Sequence, residues 1–445
     1  MKARLWFITV FLSVLSVSCK KDIDVVAPDK DSYALTELQK EGPHPKIAIV
    51  SDIHFMYPSL LANGAANGVA FQSYLNQDPK LLEYSLFVFQ NVIMDLKRER
   101  PDILLVPGDL TKDGELINHE SVAGYLAQLR AGGTKVFVVP GNHDINNAKA
   151  VQYNGNNSTP LPRTSVNDFA NIYKHFGYEN TERDATSLSY LAKPYKDLWI
   201  LAIDASKYEE FGPSGDIADG RIKSSTMTWL LSKLAEAKNQ KVTVFAMMHQ
   251  NLVEHYANQT QLDPGYVIDD WQNKVNALMD AGLNVIFTGH YHANDITAYS
   301  HNGNELFDIQ TGSLVTAPMP YRLVTVKNKK LEISTKTVQT VATSMPGGLS
   351  FPAYSNLFLS QHLDGYFNYY LQNILGAPAP VADFASPLYR NAIMAHFAGD
   401  ERMPADQRTQ IHTLASMSQQ LAGIATILWT DLNTADNNVT IKFGK

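Results

Sequence analysis

The amino-acid sequence predicts an α/β fold, a layered β-sandwich flanked by helices, with a small α-helical domain at the C-terminal end. Three observations carry this. Short apolar, β-rich runs alternate with helix-length amphipathic segments between Lys46 and Ala281, two hairpin signals follow them, and past Met345-Pro346-Gly347-Gly348 the apolar period becomes helical.

In chain order, strands are expected at Ile47–Val50, Ile103–Val106, Val136–Val139, Leu198–Ile203, Val242–Met247 and Val285–Phe287. Each is a short apolar run of the kind that a strand buried on both faces requires. The intervening segments Lys80–Arg98, Leu116–Arg130, Thr226–Lys238 and Trp271–Ala281 repeat apolar residues at helical spacing. His301-Asn302-Gly303 and Lys327-Asn328-Lys329 each sit between strand-like runs, so antiparallel strands should finish the sheet. In the tail, helices are expected at roughly 355–376, 387–399 and 405–430, and the alternation at Val439–Phe443 marks a last strand.

The 445 residues and 45% apolar composition allow a large core and two domains. The expected division is a leader at 1–18, a tether at 19–44, an α/β body at 45–344 and a mostly helical region at 345–445. Lys2 and Arg4 precede an uncharged apolar run from Leu5 to Val17, too short to span a bilayer comfortably. Cys19 is the only cysteine, which excludes a disulfide framework within the chain. Residues 20–44 are polar, carry Pro28 and Pro43, and show no sustained apolar period. The formal net charge is −7, and removal of the leader with Lys2 and Arg4 makes it more negative. Such a surface disfavours long nucleic acids, whose phosphates need Lys and Arg, while small phosphate-bearing substrates remain open if bound metal reverses the local field.

The chemistry-bearing residues gather where the expected strands end, the edge at which open α/β sheets bind ligands. The first strand ends in Ser51-Asp52-Ile53-His54, the second in Pro107-Gly108-Asp109, the third in Pro140-Gly141-Asn142-His143-Asp144, the fifth in His249 and the next in Gly289-His290-Tyr291-His292. Asp and His two apart on an extended chain point to the same side. A lone histidine or a Gly-Asp turn would be an ordinary structural feature, and it is the ordered set that points to metal chemistry.

That ordered set resembles the signature of the calcineurin-like metallophosphoesterases. The resemblance implies a hydrolase with two divalent or mixed-valence transition metals. One would be held by Asp52, His54, Asp109 and His292 and the other by Asp109, Asn142, His249 and His290, with Asp109 bridging. Mixed nitrogen and oxygen ligation suits Mn, Fe or Zn better than Ca. A water activated between two ions would attack phosphorus in line with the leaving oxygen. His143 is not a ligand in the family pattern, so it is expected to bind the phosphoryl oxygen or protonate the leaving group, with Asp144 orienting its ring or serving as a turn carboxylate.

Ser51-Asp52-Ile53-His54-Phe55, Leu82-Glu83-Tyr84-Ser85 and the stretch Gly108–Glu115 are similar to exported bacterial members of the cyclic-nucleotide phosphodiesterase branch, which add a C-terminal helical domain. That likeness implies a cyclic nucleotide or another small phosphodiester as substrate. Leu110-Thr111-Lys112 lacks the tyrosine by which purple acid phosphatases of the same superfamily bind iron. The shared motifs do not separate a phosphodiesterase from a phosphomonoesterase or a phospholipid head-group hydrolase, and a binding lipoprotein with a relic site is the non-enzymatic alternative. The insert Tyr57–Asp78 follows the first ligand pair and should overhang the site. Leu15-Ser16-Val17-Ser18-Cys19 resembles a bacterial lipobox, and Lys20-Lys21-Asp22-Ile23-Asp24 is similar to the export tag of surface lipoproteins of Bacteroides-like bacteria. Together they imply a membrane partner, reached through lipid on Cys19, and an extracytoplasmic location.

Overall fold

The computed structural model describes residues 45–432 and 435–444. The leader, Cys19 and the tether lie outside the described residues. Two sheets face each other. The first runs Asn438–Lys442, Lys330–Thr337, Pro320–Lys327, Lys46–Ile49, Ile103–Pro107 and Lys135–Val139 in spatial order, and its last three strands are parallel. The second runs Ile296–His301, Asn304–Gln310, Val285–Thr288, Thr243–Met248, Leu198–Ile203, Tyr190–Ala192 and Glu182–Arg183. Its four strands from Asn304–Gln310 to Leu198–Ile203 are parallel, and antiparallel strands close both edges.

Strand alternation explains the layering. Ile200, Ala202, Phe245, Met247, Phe287 and Ile309 turn inward to the core shared with the first sheet. Leu201, Ile203, Ala246, Met248 and Ile286 turn outward under the helices Ser224–Gln240 and Trp271–Asp280. The first sheet is covered by Ser85–Glu99 and Leu116–Ala131, which bury Val88, Phe89, Val92, Val122 and Leu126.

Every strand and helix expected in the body is present, with bounds shifted by a few residues. Unforeseen hairpins are Val151–Asn154 with Asn157–Pro160, beside the short strand Leu61–Ala62, and Tyr190–Ala192, which pairs with both Glu182–Arg183 and Leu198–Ile203. The turn of the first is Gly155-Asn156, a two-residue loop with Gly155 at φ 57°, a standard hairpin signal.

The tail forms helices Phe351–Asn373, Ala379–Ala398, Ala405–Met417 and Gln419–Ile427 around their own apolar core. The second begins eight residues earlier than expected and contains Pro387, because burial of Ala382, Ala385, Leu388, Tyr389 and Ile393 outweighs the lost backbone bond. The expected helix 405–430 is broken at Ser418, whose hydroxyl accepts from Leu421 N. The chain then returns to the body, pairing Ile441 with Leu331. Among the described residues no helix is long and apolar enough to cross a membrane.

A buried polar knot joins tail to body. Asp295 meets His255 Nδ1 at 2.5 Å, His396 Nδ1 meets Glu401 at 2.6 Å, and the Arg322 guanidinium donates to the carbonyls of Gln310 and Asp436.

Candidate metal centre

The two sheets deliver their parallel strand ends to one edge. There the backbone turns abruptly, and Asp52, His54, Asp109, His290 and His292 all adopt positive φ, between 41° and 77°. That conformation is costly for residues with a Cβ and clusters at functional sites. The motif glycines make room for it. A Cβ on Gly141 would overlap Asp109 Oδ1, and one on Gly289 would overlap Ser51 Oγ and Asp52 Oδ2. Loop backbone then pins the carboxylates: His290 N donates to Asp52 at 3.1 Å and His143 N to Asp109 Oδ1 at 2.9 Å.

The structure brings all seven expected ligands together. Asp52, His54 and His292 converge, with His54 Nε2 3.1 Å from His292 Nε2 and Asp52 Oδ1 3.5 Å from His292 Nε2. Asp109, His249 and His290 form a second group, and Asn142 Oδ1 lies 3.0 Å from His249 Nε2. Asp109 Oδ2 stands between the groups, 3.5 Å from His54 Nε2 and 3.2 Å from His249 Nε2.

The donor set fits two cations. Two ligands about 2.1 Å from one ion at a right angle stand about 3 Å apart, close to the spacings here. Outer contacts aim the donors. His249 Nδ1 lies 2.9 Å from Pro107 O, His290 Nε2 3.3 Å from Gly265 O, and His292 Nδ1 2.9 Å from Thr316 Oγ1. Asn142 Nδ2 donates to Asp216 at 3.3 Å, which leaves its Oδ1 facing inward.

Electrostatics agree with that reading. Burial would raise the Asp109 carboxyl, but His249, His143 and His54 outweigh it and hold it well below its usual range. Burial and Lys80 keep His54 neutral, and burial and His249 push His290 down to about 3, so both rings keep a lone pair for a cation. Burial would also lower His249, but Asp109 and Asp52 raise it to about 9, so cation binding there releases a proton.

His143 sits beside the ligands, its ring 4.9 Å from that of His54. Its orienting carboxylate is Asp113, whose Oδ1 is 2.8 Å from Nδ1. Of the two roles expected for Asp144, orienting the ring is overturned and the turn carboxylate is the one observed. Both oxygens of Asp144 accept from the loop itself, from Leu110 N, Thr111 N, Thr111 Oγ1 and Gly141 N, so Asp144 shapes the turn. His119 is likewise structural, between Tyr173 OH and Asp144 O.

Sequence reading missed Lys80, which is 3% exposed and places Nζ 3.2 Å from His143 Nε2 and 2.6 Å from Asp78. It also missed Asp216, which pairs with Lys149 at 2.7 Å. A single lysine or aspartate without a motif carries no sequence signal. The insert does overhang the site, where Gln77 and Asp78 line the cavity.

The family model of the calcineurin-like phosphoesterases matches residues 45–294, more than half of the chain and all seven donors. The chain belongs to that family. As a calcineurin-like phosphoesterase it is a hydrolase, and the family's fold implies a dinuclear divalent-metal site. Among curated proteins, none matches it. Similar solved structures include a dimetal phosphatase from Danio rerio, with a TM-score of 0.45 and 13% identity over 66% of this chain and 97% of that one. A purple acid phosphatase from yellow lupin (Lupinus luteus) seeds aligns with a TM-score of 0.40 and 14% identity, over 66% of this chain and 51% of its own.

Proposed function

We propose that this phosphoesterase hydrolyses a small phosphodiester, with Asp52, His54, Asp109 and His292 holding one transition-metal ion and Asp109, Asn142, His249 and His290 the other. The position of Asp109 Oδ2 between His54 and His249 carries this reading, since one carboxylate oxygen there serves both donor sets. Mn, Fe or Zn suits the mixed ligands. When bound, such a pair activates water and offsets charge on the phosphoryl group.

The protein's own groups supply the rest. Burial and Lys80 push the His143 imidazole down, but Asp216, Asp109 and Asp113 prevail and raise it to about 9. Those carboxylates favour its protonated form. Asp113 holds Nδ1, and Nε2, which faces Lys80 Nζ at 3.2 Å and Asp216 Oδ2 at 3.7 Å, is the nitrogen that would turn to a phosphoryl or leaving oxygen. Lys80 adds positive charge at the same rim.

Charge pairing favours a diester over a monoester. Each cation at the rim already has a carboxylate: Lys80 has Asp78, Lys149 has Asp216 and His143 has Asp113. A monoanionic diester suits so balanced a rim better than a dianion does. The cyclic-nucleotide likeness names one such diester. The basic apolar leader and the lipobox-like Cys19 extend the reading to a lipid-anchored, extracytoplasmic enzyme, and mass spectrometry of the mature N-terminus tests that part.

The test is turnover of matched aryl phosphate diester and monoester substrates by Mn-loaded protein, with Asp109→Asn as control. Preference for the diester, lost in the control, is expected. Preference for the monoester would make the enzyme a phosphatase.

A further inference from the structure

The cavity above the donor clusters has a volume of about 410 Å³, and only part of its wall belongs to the hydrolytic site. One side is polar and comes from the body: Lys80, Asp109, Asn142, His143, His290 and His292. The opposite side comes from the tail helices and contributes ten side chains, Leu363, Phe367, Ile393, Phe397 and Leu428 among them, all aliphatic or aromatic. None of the ten carries a charge or an amide. The Tyr389 hydroxyl donates to Leu421 O at 2.9 Å, so that residue offers a ligand its ring.

The two walls are held together. Tyr291, between ligands His290 and His292, packs in the same apolar cluster as Leu363 and Phe367, and its ring lies 6.4 Å from that of Phe397. Its hydroxyl donates to Asp263 at 2.9 Å. The Tyr266 ring lies 4.7 Å from those of both His290 and Tyr291, tilted to the first and edge-on to the second. A phosphate placed on the donor clusters therefore directs one substituent toward the helical wall.

We propose that the tail helices are the specificity wall for a hydrocarbon substituent, so that the substrate is an amphiphilic phosphodiester with an alkyl or acyl chain of lipid type. This rests on the hydrolytic reading above and narrows it. A nucleobase or sugar placed there would find the Tyr366 and Tyr370 hydroxyls as the polar groups of that wall and leave its other hydrogen-bonding groups facing hydrocarbon, at a cost a chain does not incur. Buried methylenes, by contrast, each improve transition-state binding about fourfold until the chamber is full. The separation is that of a ligand site with a few polar groups at one end and an apolar remainder.

The experiment uses the Mn-loaded protein and p-nitrophenyl alkyl phosphodiesters from methyl to octyl. The expected result is a kcat/KM that climbs about fourfold per methylene over the first members, chiefly through KM. Leu363→Asn should flatten the series, lowering kcat/KM for the octyl ester far more than for the methyl ester, with circular dichroism reading separately that the variant is folded. A flat series in the wild type, or faster turnover of a cyclic nucleotide than of the octyl ester, would overturn the proposal and leave the hydrolase intact. Turnover of no member with metal bound would instead refute the phosphodiesterase reading. Calorimetric binding of methyl to octyl phosphonates then decides the wall by itself, because affinity that does not tighten with chain length overturns it.

Discussion

Asp113 Oδ1 lies 2.8 Å from His143 Nδ1, while the neighbouring Asp144 turns away to cap its own loop. A buried carboxylate thus fixes the tilt, and supports the protonated form, of the one imidazole in the centre that is not expected to bind metal. The pairing couples proton donation to a residue thirty positions upstream.

Replacing His143 by Ala should lower kcat about 10²–10⁴-fold on diesters with poor leaving groups and leave the metal content unchanged. Steady-state kinetics with metal analysis of the same preparation checks this. Unchanged kcat would remove His143 from the chemistry.

Asp113→Asn should lower kcat by a smaller factor and shift the pH profile. Asp113 is one of the charges that raise His143 to about 9. Without it the imidazolium deprotonates at lower pH, so the alkaline limb of kcat, which falls as the proton is lost, should move to lower pH. A profile identical to wild type would contradict the pairing.

Gly289→Ala should abolish metal binding with the fold retained, since its Cβ would meet Ser51 and Asp52. Circular dichroism and metal content read the two effects separately. Full metal occupancy in the variant would show that the loop yields.

Stability should fall on the alkaline side. Burial lowers His255, but Asp308 and Asp295 raise it to about 10, above its usual 6.5. Its contribution is complete below the unfolded value and is lost as pH rises through the folded one. Burial and Asp295 push the Asp436 carboxyl up to about 8, so its share of the loss falls between its usual carboxyl range and pH 8, and the loss above pH 8 belongs to His255. Melting temperature should therefore drop between pH 7 and pH 10. His255→Gln, which leaves two buried carboxylates short of a partner, should cost about 3–5 kcal/mol and flatten that slope.

The body of the fold and the convergence of its seven candidate donors were legible because they depend on local pattern. Apolar runs such as Leu198–Ile203, flanked by helix-length segments, read as buried strands, and Asp-x-His, Gly-Asp, Gly-Asn-His-Asp, His and Gly-His-x-His in that order at the strand ends point to metal where each alone would not. What failed depended on distance. Asp144 is adjacent to His143 in sequence, yet the turn points their side chains apart and brings in Asp113 across the loop. Pro387 reads as a helix start, but packing within the tail overrides it. Lys80 and the apolar wall of Leu363 and Phe367 acquire meaning only when folding sets them around the same cavity.

The measurement that bears most directly on the central claim is the metal-to-protein ratio of the purified, Mn-loaded enzyme, taken with its diester turnover, in wild type and Asp109→Asn. Two ions per chain in the wild type, with occupancy and turnover both lost in the variant, is the expected result. A single ion per chain, or a variant that keeps two ions and full turnover, would contradict a centre built around a shared Asp109.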